Sequence, residues 1–239
     1  MRIVILVTGN AMAQVAAERG DYDAWIRAAT GDAWRGSWVS HDVRADAPLP
    51  GTRDADGFVI PGSSASVTER APWMLRAEEL VRGIEQAGVP LLGICFGHQM
   101  IAQALGGEVR RNPRGREIGT VRVERVESVG DDPLFAGLPA AFDVNATHVD
   151  SVVRLPPRAE VLARTSLDPA AAFRVGPSVR GVQFHPEFDA PAVRAYIAAR
   201  AHLIRDEGGD PDALLAAVRD ETRGADVLAN FAAMVAGRR

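Results

Sequence analysis

The chain has 239 residues, 47% of them hydrophobic, with 31 acidic against 27 basic side chains and a formal net charge of −4. This length suits one large domain or two small ones, the apolar content supports a full core, and the charge gives no global basic field to recruit nucleic acid. A single cysteine excludes an internal disulfide and favours a reducing compartment. With no leader-like segment and no apolar stretch near the ~20 residues of a bilayer span, the expectation is a cytoplasmic protein without a membrane anchor.

RIVILV (2–7) is a continuous apolar run of strand length, as expected of a strand buried on both faces. GFVIPG (57–62) reads the same way. Ser66-Val-Thr-Glu69 has the form of a capping box, and Pro72 suits a first helical turn. Trp73, Leu80, Val81 and Ile84 then form an apolar face, and Gly88 ends that helix. VPLLGIC (89–95) is a further buried strand. The alternation of strand and helix predicts a parallel sheet. TVRVERV (120–126), VLART (161–165), AAFRV (171–175) and RGVQFH (180–185) add strands. Residues 190–205 and 211–237 read as two helices separated by Gly208-Gly209. No repeat or long linker divides the chain. The expectation is one α/β domain over 1–239, with 190–239 a C-terminal helical extension.

In open α/β sheets, ligands gather at the carboxyl ends of the strands. Three strand ends carry unusual residues: PGSSAS, CFGHQ and HPEF. Gly93-Ile-Cys95-Phe-Gly97 has the spacing of a nucleophile elbow, a strained strand-to-helix turn with glycine two residues to either side of the nucleophile. At the start of a helix, the dipole and free N–H groups favour thiolate. A free cysteine is also commonly a small buried hydrophobe, so the match needs partners. His185 ends a strand, and the extended backbone imposed by Pro186 brings Glu187 to the same side, where it can select the imidazole tautomer. His98, three residues beyond Cys95, reads as a packing residue; His41 and His202 have no companions. Arg110, Arg111, Arg114 and Arg116 form either a solvated loop or an anion site.

With these residues in view, the sequence resembles the class I glutamine amidotransferases. PLLGICFGHQMIA is similar to the nucleophile segment of that family, GVQFHPEF to its histidine–glutamate segment, and GFVIPGSSASV to its oxyanion loop, in the same order over about positions 1–190. The resemblance implies a three-layer α/β fold, flavodoxin-like, with a mostly parallel central sheet and helices on both faces. It implies Cys95 as nucleophile, His185 as general base and acid, and Glu187 as its orienting partner. The backbone N–H groups of Ser63 and Phe96 would be oxyanion donors, and Gly93 and Gly97 would be the elbow glycines. Gly62, Gln99, His148, Val149 and Asp150 would contact substrate; for His148 and Asp150 a role in loop architecture stands equally open. Ser63 takes the place of the family's second glycine. Because serine has less backbone freedom, the loop is expected to reach its active form only with substrate or partner bound.

The implied half-reaction attacks the glutamine side-chain amide through a γ-glutamyl thioester on Cys95 and releases ammonia and glutamate. It calls for no metal or organic cofactor. The sequence contains no lysine, so Schiff-base, lysine-tethered pyridoxal and P-loop chemistry are excluded. Three readings stay open: a glutaminase subunit feeding a separate ammonia-accepting synthetase, a γ-glutamyl peptidase acting alone, and a catalytically silent α/β binding module.

Overall fold

In the computed structural model, which describes residues 1–127 and 132–237, the opening apolar run is strand β1 (Arg2–Val7). With β2 (Ser37–Asp42), β3 (Gly57–Ile60), β4 (Leu91–Ile94) and the later β11 (Val179–Val182), it forms five consecutive parallel strands in the order β2-β1-β3-β4-β11. The sheet continues antiparallel through β10 (Ala172–Val175), β9 (Ala159–Arg164), β6 (Glu117–Arg125) and β7 (Ala141–His148), nine strands in all among the described residues. The central sheet is thus mostly parallel, with an alternating far side. A two-stranded ribbon pairs β5 (Glu108–Arg111) with β8 (Asp150–Arg154).

Side-chain alternation along β1 explains the three layers. Ile3 and Ile5 face a cluster that includes Ile26 of α2 (Tyr22–Thr30) and Val227, Leu228, Phe231 and Val235 of α8 (Gly224–Ala236). Val4 and Leu6 face the opposite cluster, with Met74, Leu80, Val81 and Ile84 of α3 (Pro72–Gln86) and Met100 and Ile101 of α4 (Phe96–Ala104). A third cluster joins α1 (Ala13–Arg19) and α2 to α5 (Ala190–Ala199) and α6 (Ala201–Asp206) through Val15, Trp25, Tyr196, Ile197 and Ile204. Among the described residues no helix is long and apolar enough to cross a membrane.

Several expectations are corrected. The capping box at Ser66 and Glu69 is present, but it caps a single 3-10 turn, Val67–Glu69; Arg70, at φ 55°, ends that turn, and α3 starts afresh at Pro72. The two expected C-terminal helices are four. α5 and α6 break at Arg200, and α7 (Pro211–Ala217) ends before α8 begins. Strand β11 stops at Val182, because residues 183–185 bend away from the sheet edge and His185 instead bridges to Asn145 of β7.

Parallel strands bring their carboxyl ends to one rim. The residues that follow β1, β3, β4 and β11 begin at positions 8, 61, 95 and 183, so the three motif-bearing segments leave the sheet side by side.

Candidate active site

Cys95 stands between β4 and α4 with φ 51° and ψ −99°, one of two non-glycine residues with positive φ among those described. L-residues adopt this conformation only under constraint, and the constraint here is packing on both sides. A Cβ at Gly93 would come within 2.5 Å of the Gly97 carbonyl carbon, and one at Gly97 within 2.8 Å of the carbonyl carbon of Ile60 on β3. The two glycines therefore have different reasons: Gly93 lets the turn close on itself, and Gly97 lets α4 lie against β3. The amide of Cys95 donates to the Val182 carbonyl at 2.8 Å, which ties the elbow to the end of β11.

The imidazole has its own anchor. His185 lies three residues beyond Val182, and its own amide donates to the Asn145 carbonyl at 2.8 Å. The Asn145 side chain donates to the Phe188 carbonyl at 3.0 Å, closing a clamp on residues 185–188. The His185 ring stacks on Phe188 with centroids 4.1 Å apart. A Cβ at Gly62 would sit 2.9 Å from His185 Cε1, so Gly62 clears space for this ring. His185 Nδ1 is 2.8 Å from Glu187 Oε1; Cys95 lines the same cavity as His185, and its Sγ lies 3.9 Å from the Thr147 carbonyl oxygen. All three side chains are buried. Thiol, imidazole and carboxylate thus stand together at this rim of the sheet.

The electrostatics follow from that grouping. Burial opposes ionisation of Cys95, but His185, joined by the charge of His148, outweighs it and brings the thiol below its ordinary value. Burial likewise disfavours a charged His185, yet Glu187 and Cys95 together raise it above the usual histidine range. The arrangement favours a thiolate–imidazolium pair, a nucleophile with its proton donor alongside.

The oxyanion-loop residues also converge. Phe96 is the first residue of α4, so its amide has no acceptor within the helix. Ser63 lines the same cavity as Cys95. Ser63 is not among the described non-glycine residues with positive φ, so serine stands there without backbone strain. Its hydroxyl donates to the Thr8 carbonyl at 2.9 Å. The space for it comes from Gly9, where a Cβ would lie 2.5 Å from Ser63 Oγ.

The remaining expected contacts are placed differently. The His148 imidazole is fully engaged, with Nε2 2.9 Å from Glu117 Oε2 and Nδ1 3.0 Å from the Asp150 carbonyl. Burial works against its charge, but Glu117 more than compensates and raises its pKa. Both ring nitrogens are thus engaged within the loop. Gln99 Nε2 donates to the Asp150 carbonyl at 2.9 Å and to Gln183 Oε1 at 3.1 Å. The Asp150 carboxylate accepts from Ser66 Oγ at 2.6 Å. A cavity of about 340 Å³ is lined by Cys95, His185, Ser63 and Ser64 together with Tyr22, Tyr196, Arg44 and Arg200; Gly62, Gln99, His148, Val149 and Asp150 lie outside its lining. His98 packs on Phe173 with ring centroids 4.6 Å apart, and burial pushes its pKa down to about 4, as suits a neutral packing residue. Arg110 pairs with Glu108, Arg111 and Arg116 share Glu207 at the end of α6, and Arg114 donates to the Ser166 carbonyl. Sequence reasoning missed Tyr22, Asn145, Glu117 and Arg200, which gain meaning only from partners distant in the chain. Phe188 was within view, since it ends the HPEF segment.

Comparison with known proteins gives a consistent family. The family model for class-I glutamine amidotransferases matches residues 37–200. A GMP synthase (glutamine-hydrolyzing) of Aeropyrum pernix is 42% identical over 137 residues, covering 56% of this chain and 26% of that protein. Gamma-glutamyl peptidase 4 of Arabidopsis thaliana is 31% identical over 157 residues, 64% of this chain and 62% of that one. One of the subunits of the glutamine-hydrolyzing GMP synthase of Pyrococcus furiosus is 40% identical over 111 residues, 46% and 57% respectively. The chain thus spans less than two thirds of the length of each of these relatives. Among solved structures, a glutamine amidotransferase from Thermotoga maritima superposes with a TM-score of 0.69 at 24% identity, covering 100% of this chain and 97% of that one. A protein from Thermoplasma acidophilum, described as one of the subunits of a GMP synthase, gives 0.65 at 20% identity, covering 99% and 94%. These likenesses speak to the fold. With the family model covering more than half of its length, the chain belongs to the class-I glutamine amidotransferases.

Proposed function

We propose that the protein is a glutaminase that hydrolyses the γ-amide of glutamine through a thioester on Cys95. The observation that carries the reading is the buried set Cys95, His185 and Glu187 at the rim of the parallel sheet. His185 takes the thiol proton, and the Cys95 thiolate attacks the amide carbon. The amide N–H groups of Ser63 and Phe96 receive the oxyanion, donors worth roughly 3 kcal/mol each in comparable sites. His185 then returns the proton to the leaving nitrogen, and ammonia departs. A water deprotonated by His185 cleaves the thioester, and glutamate leaves with Cys95 restored. Glu187 holds the imidazole in the tautomer that faces Cys95. Gly62 leaves room for the ring. Gln99 and His148 hold the turn that presents Val149 and Asp150 to the α-amino and carboxylate groups of the substrate. Residues 1–239 act as one glutaminase unit, and the segment 190–239, called an extension from sequence, contributes α5 and α8 to its packing.

Two destinations for the nitrogen fit this site. Kinship with one of the GMP synthase subunits of Pyrococcus furiosus supports a separate synthetase that accepts ammonia. A second reading, a γ-glutamyl peptidase acting alone, is favoured by the cavity of about 340 Å³ next to Cys95, which is far larger than ammonia needs and is within the range of small-ligand pockets. The deciding experiment incubates pure protein with glutamine and with γ-glutamyl dipeptides and measures free glutamate and ammonia. Turnover that requires an added synthetase supports the first destination; steady turnover of dipeptides supports the peptidase. A glutamine-like chloroketone that leaves Cys95 unmodified at neutral pH would overturn both in favour of a silent module.

A further inference from the structure

Two arginines line the cavity beside Cys95, and their surroundings differ. Arg44 is neutralised: its Nε and Nη2 donate to the two carboxylate oxygens of Asp42 at 2.9 and 2.7 Å, and its Nη1 to Asn10 Oδ1 at 2.7 Å. Arg200 has no such partner. Among the described residues no carboxylate pairs with it; its guanidinium carbon lies 4.7 Å from the centroid of the Tyr196 ring, and its Nη1 is 3.3 Å from Met12 Sδ. The side chain is only partly exposed. Neighbouring cations in the same region are paired, Arg19 with Asp189 and Arg116 with Glu207. Burial lowers the pKa of Arg200, outweighing the opposing charges of Tyr196, Tyr22 and Cys95.

The segment holding Arg200 is built to keep it there. Arg200 is the junction residue between α5 and α6, where the helix breaks at φ −101° and ψ 8°. Tyr196, one turn earlier, shares a 2.8 Å hydrogen bond with the Tyr22 hydroxyl, and its own hydroxyl accepts from the Met12 amide at 3.3 Å. The Tyr22 ring in turn stacks toward His185 with centroids 6.2 Å apart. The chain His185–Tyr22–Tyr196–Arg200 therefore forms a fixed wall from the reacting residues to the unpaired guanidinium. A partly desolvated guanidinium left without an anion is costly, and a bound carboxylate would offset that cost with charge-assisted hydrogen bonds.

We propose that Arg200 is a specificity-determining residue that binds a carboxylate on the amine side of the substrate, so that the preferred substrates are γ-glutamyl conjugates of amino acids or peptides. This rests on the γ-glutamyl thioester reading above. In this arrangement the carbonyl carbon of the γ-glutamyl group is at Cys95, the scissile nitrogen faces His185, and the departing amino acid occupies the cavity with its carboxylate at Arg200. The step balances as before: the C–N bond breaks, His185 supplies the proton, and the free amino acid leaves in place of ammonia.

The test compares kcat/KM for γ-glutamylglycine, γ-glutamylglycinamide and glutamine, in the natural protein and in Arg200→Gln and Arg200→Lys. The natural protein is expected to prefer the free carboxylate over the amide by roughly 10- to 100-fold, the usual reach of a hydrogen-bonded charge. In Arg200→Gln that ratio falls to near one, and Arg200→Lys restores part of it. No preference in the natural protein, or an unchanged ratio in Arg200→Gln, overturns the proposal. So does an equal loss on all three substrates, which would place Arg200 on the glutamyl moiety. A second measurement stands apart from the reaction: the ratio of Cys95 alkylation by iodoacetate to that by iodoacetamide, expected to drop about 10-fold in Arg200→Gln. If none of the three substrates were turned over, the glutaminase reading would fail, while this ratio would still decide whether Arg200 serves an anion next to Cys95.

Discussion

Gly97→Ala is the smallest change that tests the elbow. The added Cβ would lie 2.8 Å from the carbonyl carbon and the Cβ of Ile60. Carbon atoms settle near 3.5–4.0 Å, so α4 and β3 must separate by about 1 Å. Overpacking of this kind costs about 1–3 kcal/mol, which for a chain of this length lowers Tm by about 2–12 °C. The same movement carries Cys95, two residues earlier in the turn, away from an imidazole anchored independently through Asn145. A misplacement of about 1 Å between reacting groups costs about 10²-fold in rate. Thermal denaturation reads the first effect; kcat/KM with glutamine, and the rate of Cys95 alkylation by iodoacetamide, read the second. A variant with the parental Tm would refute the claim that β3 presses on α4. A lowered Tm with unchanged kcat/KM would refute the claim that this contact sets the position of the thiol.

Cys95→Ser should lower turnover by about 10⁴-fold or more, measured as glutamate released; near-normal rates would remove Cys95 from the mechanism. Glu187→Ala should be milder, because Glu187 acts through His185. Losing the carboxylate that helps hold His185 protonated moves the alkaline limb of the kcat/KM profile to lower pH, and an unmoved limb would contradict the assignment. His148 binds its proton more tightly in the folded state, through Glu117. Its contribution to stability is therefore complete below an unfolded value of about 6.5 and fades as pH rises through the raised folded value. The Tm difference between the natural protein and His148→Gln should shrink above neutrality; a gap that widens there would reverse the sign of the argument. Phe231→Ala, which empties a fully buried site on α8, should cost about 3–5 kcal/mol in denaturant titration, and a loss below about 1 kcal/mol would make α8 peripheral.

The legible parts of the sequence are those whose environment is uniform. RIVILV is buried on both faces through most of its length, so its apolar run is its own signature, and its predicted bounds match β1. The edge strand SWVSHD, mostly exposed, carries neither a continuous run nor a clean alternation and is not visible as a strand. The C-terminal helices look continuous because Ala199-Arg200-Ala201 contains no breaker, and the break at Arg200 has no signature in the local sequence. Gly224 did offer a signal. A Cβ there would lie 2.5 Å from the Pro186 carbonyl oxygen, so its glycine reflects close approach of α8 to the triad segment. At the site, Cys95, His185 and Glu187 stand out in the sequence by residue type and spacing, each close behind the end of an apolar run. Tyr22 and Tyr196, 174 positions apart yet sharing one hydrogen bond, leave no mark in local pattern. Gln99 and His148 are visible as polar residues, but whether they face a ligand or each other's loops depends on a register that only the folded chain defines.

The neighbourhood of Ser63 has a consequence for how this loop can change. The hydroxymethyl group of Ser63 and the vacancy at Gly9 occupy a single volume shared by the ends of β1 and β3. A Cβ at position 9 would also lie 2.7 Å from the Cα of Ser63, so Gly9 is held by the backbone at 63 as well as by its side chain, and Ser63→Gly alone does not open the position. A designer wishing to restore the glycine more usual at 63 would be untying the strand end at Thr8 as well.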